Sequence, residues 1–406
     1  MSSGSLRRAL TRAVVGTAVL ALTPSPASAD GGAQTRFYVP PPHKEAVQQA
    51  LQLVRQHRVH DALRIAALES KPKAVWVTKG TPADARAAVK DTIRRARFQR
   101  AVPVLVAYNV PGRDCGGLSA GGALTTADYK AWIDGFAGGV GDDRAIVVLE
   151  PDGLGLLPSN CGAGYPFTDA QRYEELNYAV DRLGQGARTS VYLDGTHSAW
   201  LGSGDAAHRL SQAGVARADG FFLNVSNYRL TQHLQKYGTW TSKCLAFATN
   251  PASWGVGHFD WCASQYYPAN PNDFSTWTLS DQWYTDNVES QTWWYSPSLL
   301  KHFVIDTSRN GQGPWTPTAS YPDAQDWCNP PDRGLGLRPT ADTGNPLIDA
   351  YLWVKIPGES DGECTRGLGP AGTTVDPEWG RIDPPAGKWF PEMGLDLVHN
   401  ANPPLH

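Results

Sequence analysis

Seven short apolar runs are the feature that most constrains the fold of this chain. They are rich in β-branched and aromatic residues and lie at residues 74–78, 102–108, 145–150, 190–194, 220–224, 302–306 and 350–356. Stretches with charged and apolar residues at helical spacing separate several of them, at 83–96, 126–139 and 169–183. Continuous apolar strands alternating with helices are typical of a parallel sheet covered on both faces. We therefore expect an α/β fold that closes into a parallel barrel of the TIM type, with an open doubly wound sheet as the alternative.

The first 29 residues have the layout of a cleaved export signal. A basic start leads into the apolar run 13–22, and the small residues 27–29 precede Asp30. A membrane anchor is the alternative, but it needs about 20 consecutive apolar residues, and Thr17 and two prolines interrupt this stretch. We expect a secretion signal peptide at 1–29 and a secreted, extracellular protein with no membrane association after cleavage. The export route stays open.

The rest of the chain is expected to be one catalytic domain, residues 30–406, acting as a monomer. Stretches rich in Pro and Gly at 311–346 and 367–388 contain or adjoin Trp and Cys, so they are interpreted as ordered loops and not as linkers. Charge is nearly balanced, at 36 basic against 39 acidic residues, with no basic run after the signal. Nucleic acid and anionic membranes are therefore not expected as partners.

Export makes the six cysteines candidates for disulfides, because disulfides persist outside the cytoplasm. Many pairings are possible in principle. We expect pairing between neighbours along the chain, which closes three loops: Cys115 with Cys161, Cys244 with Cys262, and Cys328 with Cys364. A zinc site is the alternative, but the chain has no Cys-x-x-Cys spacing, and we expect no metal.

Polar, turn-rich sequence follows five of the predicted strands. Barrel enzymes build their sites at the carboxyl ends of parallel strands, so these segments should converge on one cleft. They carry six carboxylates: Asp114, Asp152, Asp194, Asp306, Glu359 and Asp361. Like charges raise one another's pKa, so one carboxyl can stay protonated as a general acid while another remains ionised as a base. Glycosidic bond cleavage requires that division of labour. The alternative for any single carboxylate is a helix cap or an ion pair with Arg113 or Arg309.

Aromatic side chains support a glycan cleft, because sugar rings present apolar faces edged by hydroxyls. Of the 15 tryptophans, Trp76, Trp200 and Trp327 lie near predicted strand ends or in the loops beyond, where they could face the cleft. Trp132 and Trp353 lie within a helix and a strand pattern and are expected in the core. Packing is the alternative for any single tryptophan, since this side chain is usually mostly buried.

Six motifs follow one another in the chain: Pro-Gly-Arg-Asp-Cys at 111–115, Glu-Pro-Asp at 150–152, Asp-Gly-Thr-His-Ser-Ala-Trp at 194–200, Asp-Thr-Ser-Arg-Asn-Gly at 306–311, Trp-Cys at 327–328 and Lys-Ile-Pro-Gly-Glu-Ser-Asp-Gly at 355–362. Together they resemble glycoside hydrolase family 6, the cellulases, over the chain from about Phe37 to its end. The resemblance implies a distorted seven-stranded parallel α/β barrel, cleavage of β-1,4-glucan with inversion, cellulose or a related glucan as partner, and no cofactor.

The resemblance also implies residue roles. Asp152 is similar to the general acid, and Asp114 to the neighbour that keeps it protonated and helps to order the attacking water. Asp361 is similar to the proposed base, for which a water relay is the alternative; Asp194 is similar to a supporting acid, and Tyr108 to a residue that presses on the sugar ring. Further positions match substrate contacts or stacking platforms: His197, Asn227, Lys355, Glu359, Trp76, Trp200 and Trp327.

Two departures from the family pattern stand out. Many relatives have Ser where this chain has Ala120, with Ser119 beside it, so the hydroxyl that orders water is open. The segment 228–300 holds seven tryptophans and shows little helical period, and it is either an extended binding wall or a packed surface lobe.

The mode of cutting depends on the loops above the cleft. Residues 311–326 are too few to build the large roof that chain-end cutters in this family carry, which favours an endo-β-1,4-glucanase. A chain-end cellobiohydrolase is the close alternative. A non-catalytic glucan-binding protein is the alternative from another class, and the joint presence of Asp114, Asp152 and Asp361 argues against it.

Overall fold

The computed structural model describes residues 35–405, and the predicted signal peptide lies outside this range. One sheet contains seven parallel strands in chain order: β1 Val75–Val77, β2 Val104–Ala107, β3 Ala145–Leu149, β4 Thr189–Asp194, β5 Gly220–Leu223, β6 His302–Asp306 and β7 Ile348–Leu352. The helices are α1 Lys44–Arg55, α2 Val59–Glu69, α3 Pro82–Gln99, α4 Thr126–Val140, α5 Asp169–Leu183, α6 Ser203–Gln212, α7 Thr231–Thr249, α8 Trp277–Tyr284 and α9 Pro391–His399.

The strands are buried on both faces, and alternate residues enter two different cores. Val106 and Phe222 belong to a cluster built from strands and the residues next to them, which fills the inside of the curled sheet. Leu105 and Phe221 point the other way, into a cluster shared with the surrounding helices. This alternation follows from the period of two along a strand, and it explains why the strands are continuously apolar.

The barrel is distorted because β1 and β7, the two edges of the sheet, are not joined by a ladder. Two contacts connect them: the Ala74 amide donates to the Trp353 carbonyl at 2.9 Å, and the Trp76 indole donates to the Val354 carbonyl at 2.8 Å. The prediction of a distorted seven-stranded α/β barrel is confirmed. The predicted end of β7 is wrong: the backbone amides of Val354 and Lys355 donate to the Asp306 carboxylate and thereby leave the sheet.

Three helices lie where helical spacing predicts them, as α3, α4 and α5. Residues 228–300 show little helical period in the sequence, yet α7 and α8 lie there. Helix α7 is buried on most of its surface, including Tyr237, Trp240 and Phe247, so it lacks the polar face that reveals a surface helix in sequence. Trp132 and Trp353 are buried, as predicted. Between residues 35 and 405, no helix combines the length and the apolar character needed to cross a membrane.

Candidate active site

A cavity of about 770 Å³ opens at the carboxyl ends of the strands, and loops after all seven strands contribute to it. It is lined by every predicted catalytic and substrate-binding residue except Asp194: Asp114, Asp152, Asp361, Tyr108, Trp76, His197, Trp200, Asn227, Trp327, Lys355 and Glu359. Strand ends separated by tens to hundreds of residues in sequence therefore converge on one cleft, as barrel topology dictates.

Asp152 lies in the tight turn after β3, where both it and Glu150 adopt left-handed backbone conformations (φ +63° and +53°). Burial raises the pKa of Asp152 well above its usual range, and the negative charges of Asp194, Asp114 and Asp361 raise it further. Within residues 35–405, no group donates a hydrogen bond to this carboxyl. The raised pKa favours the protonated form of Asp152, and in that form the proton can be donated to a ligand in the cavity.

Asp114 lines the same cavity from the loop after β2. Its backbone is also in the left-handed region, with a φ of +57°. Its carboxylate accepts a hydrogen bond from the Ser119 backbone amide at 2.7 Å. Burial raises the pKa of Asp114, although this hydrogen bond and the Arg113 charge oppose the rise. The adjacent Cys115 forms a disulfide with Cys161, so the loop that carries Asp114 is covalently tied to the loop that follows Asp152.

Asp194 does not line the cavity; it holds the turn that does. Its carboxylate accepts hydrogen bonds from the amide of Thr196 at 2.8 Å and from the amides of Leu154 and Gly155 at 3.3 Å each. Burial raises its pKa to about 6. Asp194 therefore fixes the backbone directly after Asp152 and adds a negative charge next to it.

Two other carboxylates organise loops from within the core. Glu150, which sequence reasoning did not single out, accepts hydrogen bonds from the amides of Asn109 and Val110 at 2.8 and 3.1 Å, and burial raises its pKa to about 7. Asp306, expected among the carboxylates of the cleft, does not line the cavity: it accepts from the Lys355 amide at 2.9 Å. The motif position of Glu150, two residues before Asp152, is the signal that could have found it.

The pKa of Asp361 is shifted in the opposite direction from that of Asp152. Arg309 donates to one carboxylate oxygen at 2.8 Å, and the Lys355 ammonium lies 3.2 Å from the other. Burial alone would raise the pKa of Asp361, but these two cations outweigh burial and hold the pKa below its usual range. Tyr228 also donates to this carboxylate, at 3.3 Å. The pairing with Arg309, considered from sequence as an alternative to chemistry, is therefore present within the cleft.

Asn329, missed in the sequence, holds both the backbone and the side chain of Asp361. Its amide N–H donates to the Asp361 carboxylate at 3.0 Å, and its Oδ1 accepts from the Asp361 amide at 2.7 Å. Its Nδ2 donates to Asp383 at 2.8 Å. Burial and the charge of Asp376 raise the pKa of Asp383 to about 7. Asn329 directly follows the recognised Trp-Cys motif, which is the only sequence signal for it.

Polar groups around the cavity have defined hydrogen-bonding states. His197 is buried, and its Nδ1 accepts from the Ala199 amide at 3.2 Å. Burial and the Arg229 charge lower its pKa to about 3, so the ring is neutral and its Nε2–H is the donor.

Glu359 and Lys355 form a second polar group of the cavity. Burial raises the pKa of Glu359 to about 7, against the charge of Lys355. Lys355 also donates to the Ser360 carbonyl at 3.0 Å.

The aromatic side chains form separate flat surfaces along the cavity. Trp76 meets Tyr108 edge to face, with ring centroids 5.4 Å apart. The Trp200 ring lies against Gly155, where a Cβ would come within 2.4 Å of it, so only glycine fits there. Trp327 is 42% exposed and thus available for stacking.

Comparisons with known proteins agree with this geometry. The family model described as "Glycosyl hydrolases family 6" matches residues 32–401. "Endoglucanase A" of Cellulomonas fimi is 34% identical over 332 residues, covering 81% of this chain and 54% of the relative. "Probable 1,4-beta-D-glucan cellobiohydrolase C" of Aspergillus niger is 31% identical over 312 residues, covering 73% of this chain and 60% of the relative. This chain therefore spans little more than half the length of these curated relatives.

One similar solved structure is the endoglucanase Cel6 from Mycobacterium tuberculosis, in complex with methyl-cellobiosyl-4-deoxy-4-thio-β-D-cellobioside. The identity is 32% and the TM-score 0.65, with 91% of this chain and 98% of that chain covered. The likeness extends over nearly the whole of the described fold.

Proposed function

This chain belongs to glycosyl hydrolases family 6, and we propose that it hydrolyses β-1,4-glucosidic bonds in cellulose and related β-glucans with inversion at the anomeric carbon. The observation that carries the proposal is the contrast between Asp152 and Asp361. Burial and neighbouring negative charges raise the pKa of Asp152, whereas Arg309 and Lys355 hold the pKa of Asp361 below its usual range, and both carboxyls line the same cavity. Inverting cleavage needs a proton donor at the leaving oxygen and a proton acceptor on the side of the attacking water. The thio-cellobioside bound by the similar endoglucanase supports the substrate class.

In the proposed step, a water oxygen bonds to the anomeric carbon as the bond to the leaving oxygen breaks. Asp152 gives its proton to that oxygen and becomes ionised. Asp114 keeps Asp152 protonated before the step by its negative charge, and the loop it anchors helps to order the water. The water proton goes to Asp361. Arg309 contacts one oxygen of Asp361 and Lys355 contacts the other, and both cations lower its pKa. We therefore propose that a second water relays the proton from the attacking water to Asp361.

The remaining residues bind or position the sugar chain. We assign stacking to Trp76, Trp200 and Trp327, and hydrogen bonding to His197, Asn227, Lys355 and Glu359, because all of them line the cavity. Tyr108, buried beneath Arg113, is placed to press on the ring at the cleavage point. Asp194 supports Asp152 through the turn it holds.

We propose internal cutting, an endo-β-1,4-glucanase. The proposal rests on residues 311–326, which contain no helix or strand and are too few to build a large roof over the cleft. Relatives named as endoglucanase and as cellobiohydrolase are both similar to this chain, so chain-end cutting is the second candidate.

Incubation with carboxymethylcellulose separates the candidates. Internal cutting lowers viscosity early, before much reducing sugar is released. Release of cellobiose with nearly constant viscosity would instead indicate a cellobiohydrolase, and binding without any reducing ends would indicate a non-catalytic glucan-binding protein. Proton NMR within minutes of mixing tests inversion: the α-anomer should appear first.

We also propose that residues 30–406 form one catalytic domain that is exported, acts outside the cell as a monomer, and has neither nucleic acid nor membrane as partner. Three disulfides among the described residues suit an oxidising compartment. Sequencing the amino terminus of the secreted protein should find Asp30 first, and an intact Met1 would contradict the predicted cleavage.

A further inference from the structure

Exposed aromatic side chains concentrate in one segment, residues 250–276, which joins α7 to α8. Four large aromatic rings there are exposed: Trp254, Trp261, Tyr266 and Tyr267, at 45%, 44%, 43% and 80%. In contrast, the helices on either side are anchored by Trp240 and Trp277, which are buried. The flanking helices are therefore packed into the core, whereas the segment between them carries exposed aromatic rings on its surface. Clustered exposed apolar groups of this kind mark binding surfaces more often than isolated ones do.

One end of this segment is fixed against the loop that carries Trp200, the stacking residue of the cleft. The Tyr266 hydroxyl donates to the Trp200 carbonyl at 3.0 Å. Gln265 donates to the Leu201 carbonyl at 2.9 Å, and the Ser203 hydroxyl donates to the Ala263 carbonyl at 2.6 Å. The disulfide between Cys244 and Cys262 ties the start of this stretch to α7. Tyr266 is therefore held in a fixed place beside the cleft.

The chain directly after Trp200 packs close to the Tyr266 ring. A Cβ added at Gly202, two residues after Trp200, would lie 3.8 Å from this ring, in ordinary contact with its edge. Since the Tyr266 hydroxyl already has its partner in the protein, the exposed part of this side chain is the ring. A ring held in place by its own hydrogen bond loses little freedom when a ligand packs on it.

We propose that Tyr266, with Tyr267 beside it, forms a glucan-binding platform that extends the cleft beyond Trp200 and contacts sugar units outside the cavity. The ligand is the β-glucan chain itself, because the platform continues from the Trp200 end of the cleft and presents apolar rings that suit sugar faces. This inference rests on the proposed function. It assigns to part of the Trp-rich segment a role in binding long substrates.

Chain-length dependence tests the platform. Tyr266→Ala should raise KM for cellohexaose by about three- to tenfold, the effect expected for loss of one aromatic contact, and leave KM for cellotriose unchanged. Tyr266→Phe keeps the ring but loses the hydrogen bond that holds it, so its KM for cellohexaose should lie closer to that of the wild type than to that of Tyr266→Ala. If Tyr266→Phe is as impaired as Tyr266→Ala, the lost hydrogen bond to Trp200 explains the effect, and the platform is wrong.

Two further variants complete the experiment. Trp293→Ala removes another exposed aromatic side chain, 65% exposed, that lies outside residues 250–276, and should leave both KM values unchanged. A length-dependent loss in this control would contradict a specific platform. If Tyr266→Ala does not fold, Tyr267→Ala replaces it, because the Tyr267 side chain makes no hydrogen bond within residues 35–405; an unchanged KM for cellohexaose would then overturn the proposal. If the wild-type protein cuts neither oligomer, the proposed function is contradicted. If the wild type cuts both, but Tyr266→Ala changes KM for cellohexaose and cellotriose by the same factor, only the platform is contradicted.

Discussion

The guanidinium of Arg309 lies 2.8 Å from the Asp361 carboxylate, and both side chains are buried in the wall of the cleft. Lys355 contacts the second oxygen of the same carboxylate at 3.2 Å. One anion thus balances two cations in a region with little solvent. This arrangement keeps Asp361 ionised and makes the local structure dependent on its charge.

Asp361→Asn should therefore lower stability as well as activity. Removing one member of a buried ion pair costs about 3–5 kcal/mol, because the remaining charges are left uncompensated. Urea unfolding measures this loss. Glu392→Gln is the matched control, since Glu392 pairs with Arg381 at 2.9 Å on the exposed surface and such pairs contribute at most about 1 kcal/mol. Equal, small losses in both variants would contradict the structural role of Asp361.

Asp114→Asn should move the alkaline limb of the kcat/KM profile to lower pH. The negative charge of Asp114 helps to raise the pKa of Asp152, so its removal makes the ionised form of Asp152 less costly. The proton donor is then lost at a lower pH. Asparagine keeps an oxygen for the Ser119 amide, so the loop should survive. A fall in kcat with an unmoved limb would assign Asp114 to water ordering alone.

Asp383→Asn should gain stability relative to the wild type as pH rises. The folded-state pKa of Asp383 is about 7, above the unfolded value near 4, so its contribution to stability is complete below about pH 4 and is lost as pH rises towards 7. The asparagine of the variant does not ionise, so the variant does not lose stability at this position as pH rises. His197, whose pKa is lowered to about 3, has the opposite dependence, so the quantity to compare is the difference between variant and wild type.

Urea midpoints of both proteins at several pH values between 4.5 and 7 provide that difference. Asn329 should keep its contact in the variant, since asparagine also offers an oxygen to Nδ2 of Asn329. A difference that is constant or shrinks with rising pH would contradict a protonated Asp383.

All three disulfides should contribute to stability, but they should differ in their effect on activity. Each is expected to contribute about 2–4 kcal/mol, so reduction should lower the melting temperature. Replacing Cys115 and Cys161 by Ser should also lower kcat/KM at temperatures where the variant is folded, because this bond holds the Asp114 loop. Replacing Cys244 and Cys262 should affect short substrates little. Free thiol in the unreduced, denatured wild type would reject all three pairings.

Local sequence predicted the strands and helices whose residue patterns reflect interactions between near neighbours in the chain. The continuous apolar runs gave seven buried parallel strands, and Thr81, Thr125 and Thr168 cap the three helices whose spacing was visible. Helix α7 was missed because tertiary burial on most sides removes the amphipathic pattern. The end of β7 was misplaced because a distant carboxylate, Asp306, takes the amides that would otherwise continue the ladder.

The same distinction applies to the cleft. Motifs at strand ends located Asp114, Asp152 and Asp361, because parallel topology brings such ends together. Sequence alone could not separate Asp306 and Asp194, which bind loop amides, from the carboxylates that face the cavity. Nor could it find Tyr228 and Asn329, whose partnership with Asp361 depends on loops from two other strands.

The most direct test of the central claim is the rate of Asp152→Asn on two substrates, one with an unactivated cello-oligosaccharide leaving group and one with a dinitrophenol leaving group. General acid catalysis is typically worth about 10²–10⁴-fold, and a good leaving group needs little protonation. We predict a large loss on the oligosaccharide and a much smaller loss on the activated substrate, with Asp361→Asn impaired similarly on both. Equal losses for Asp152→Asn on the two substrates would contradict its role as the proton donor.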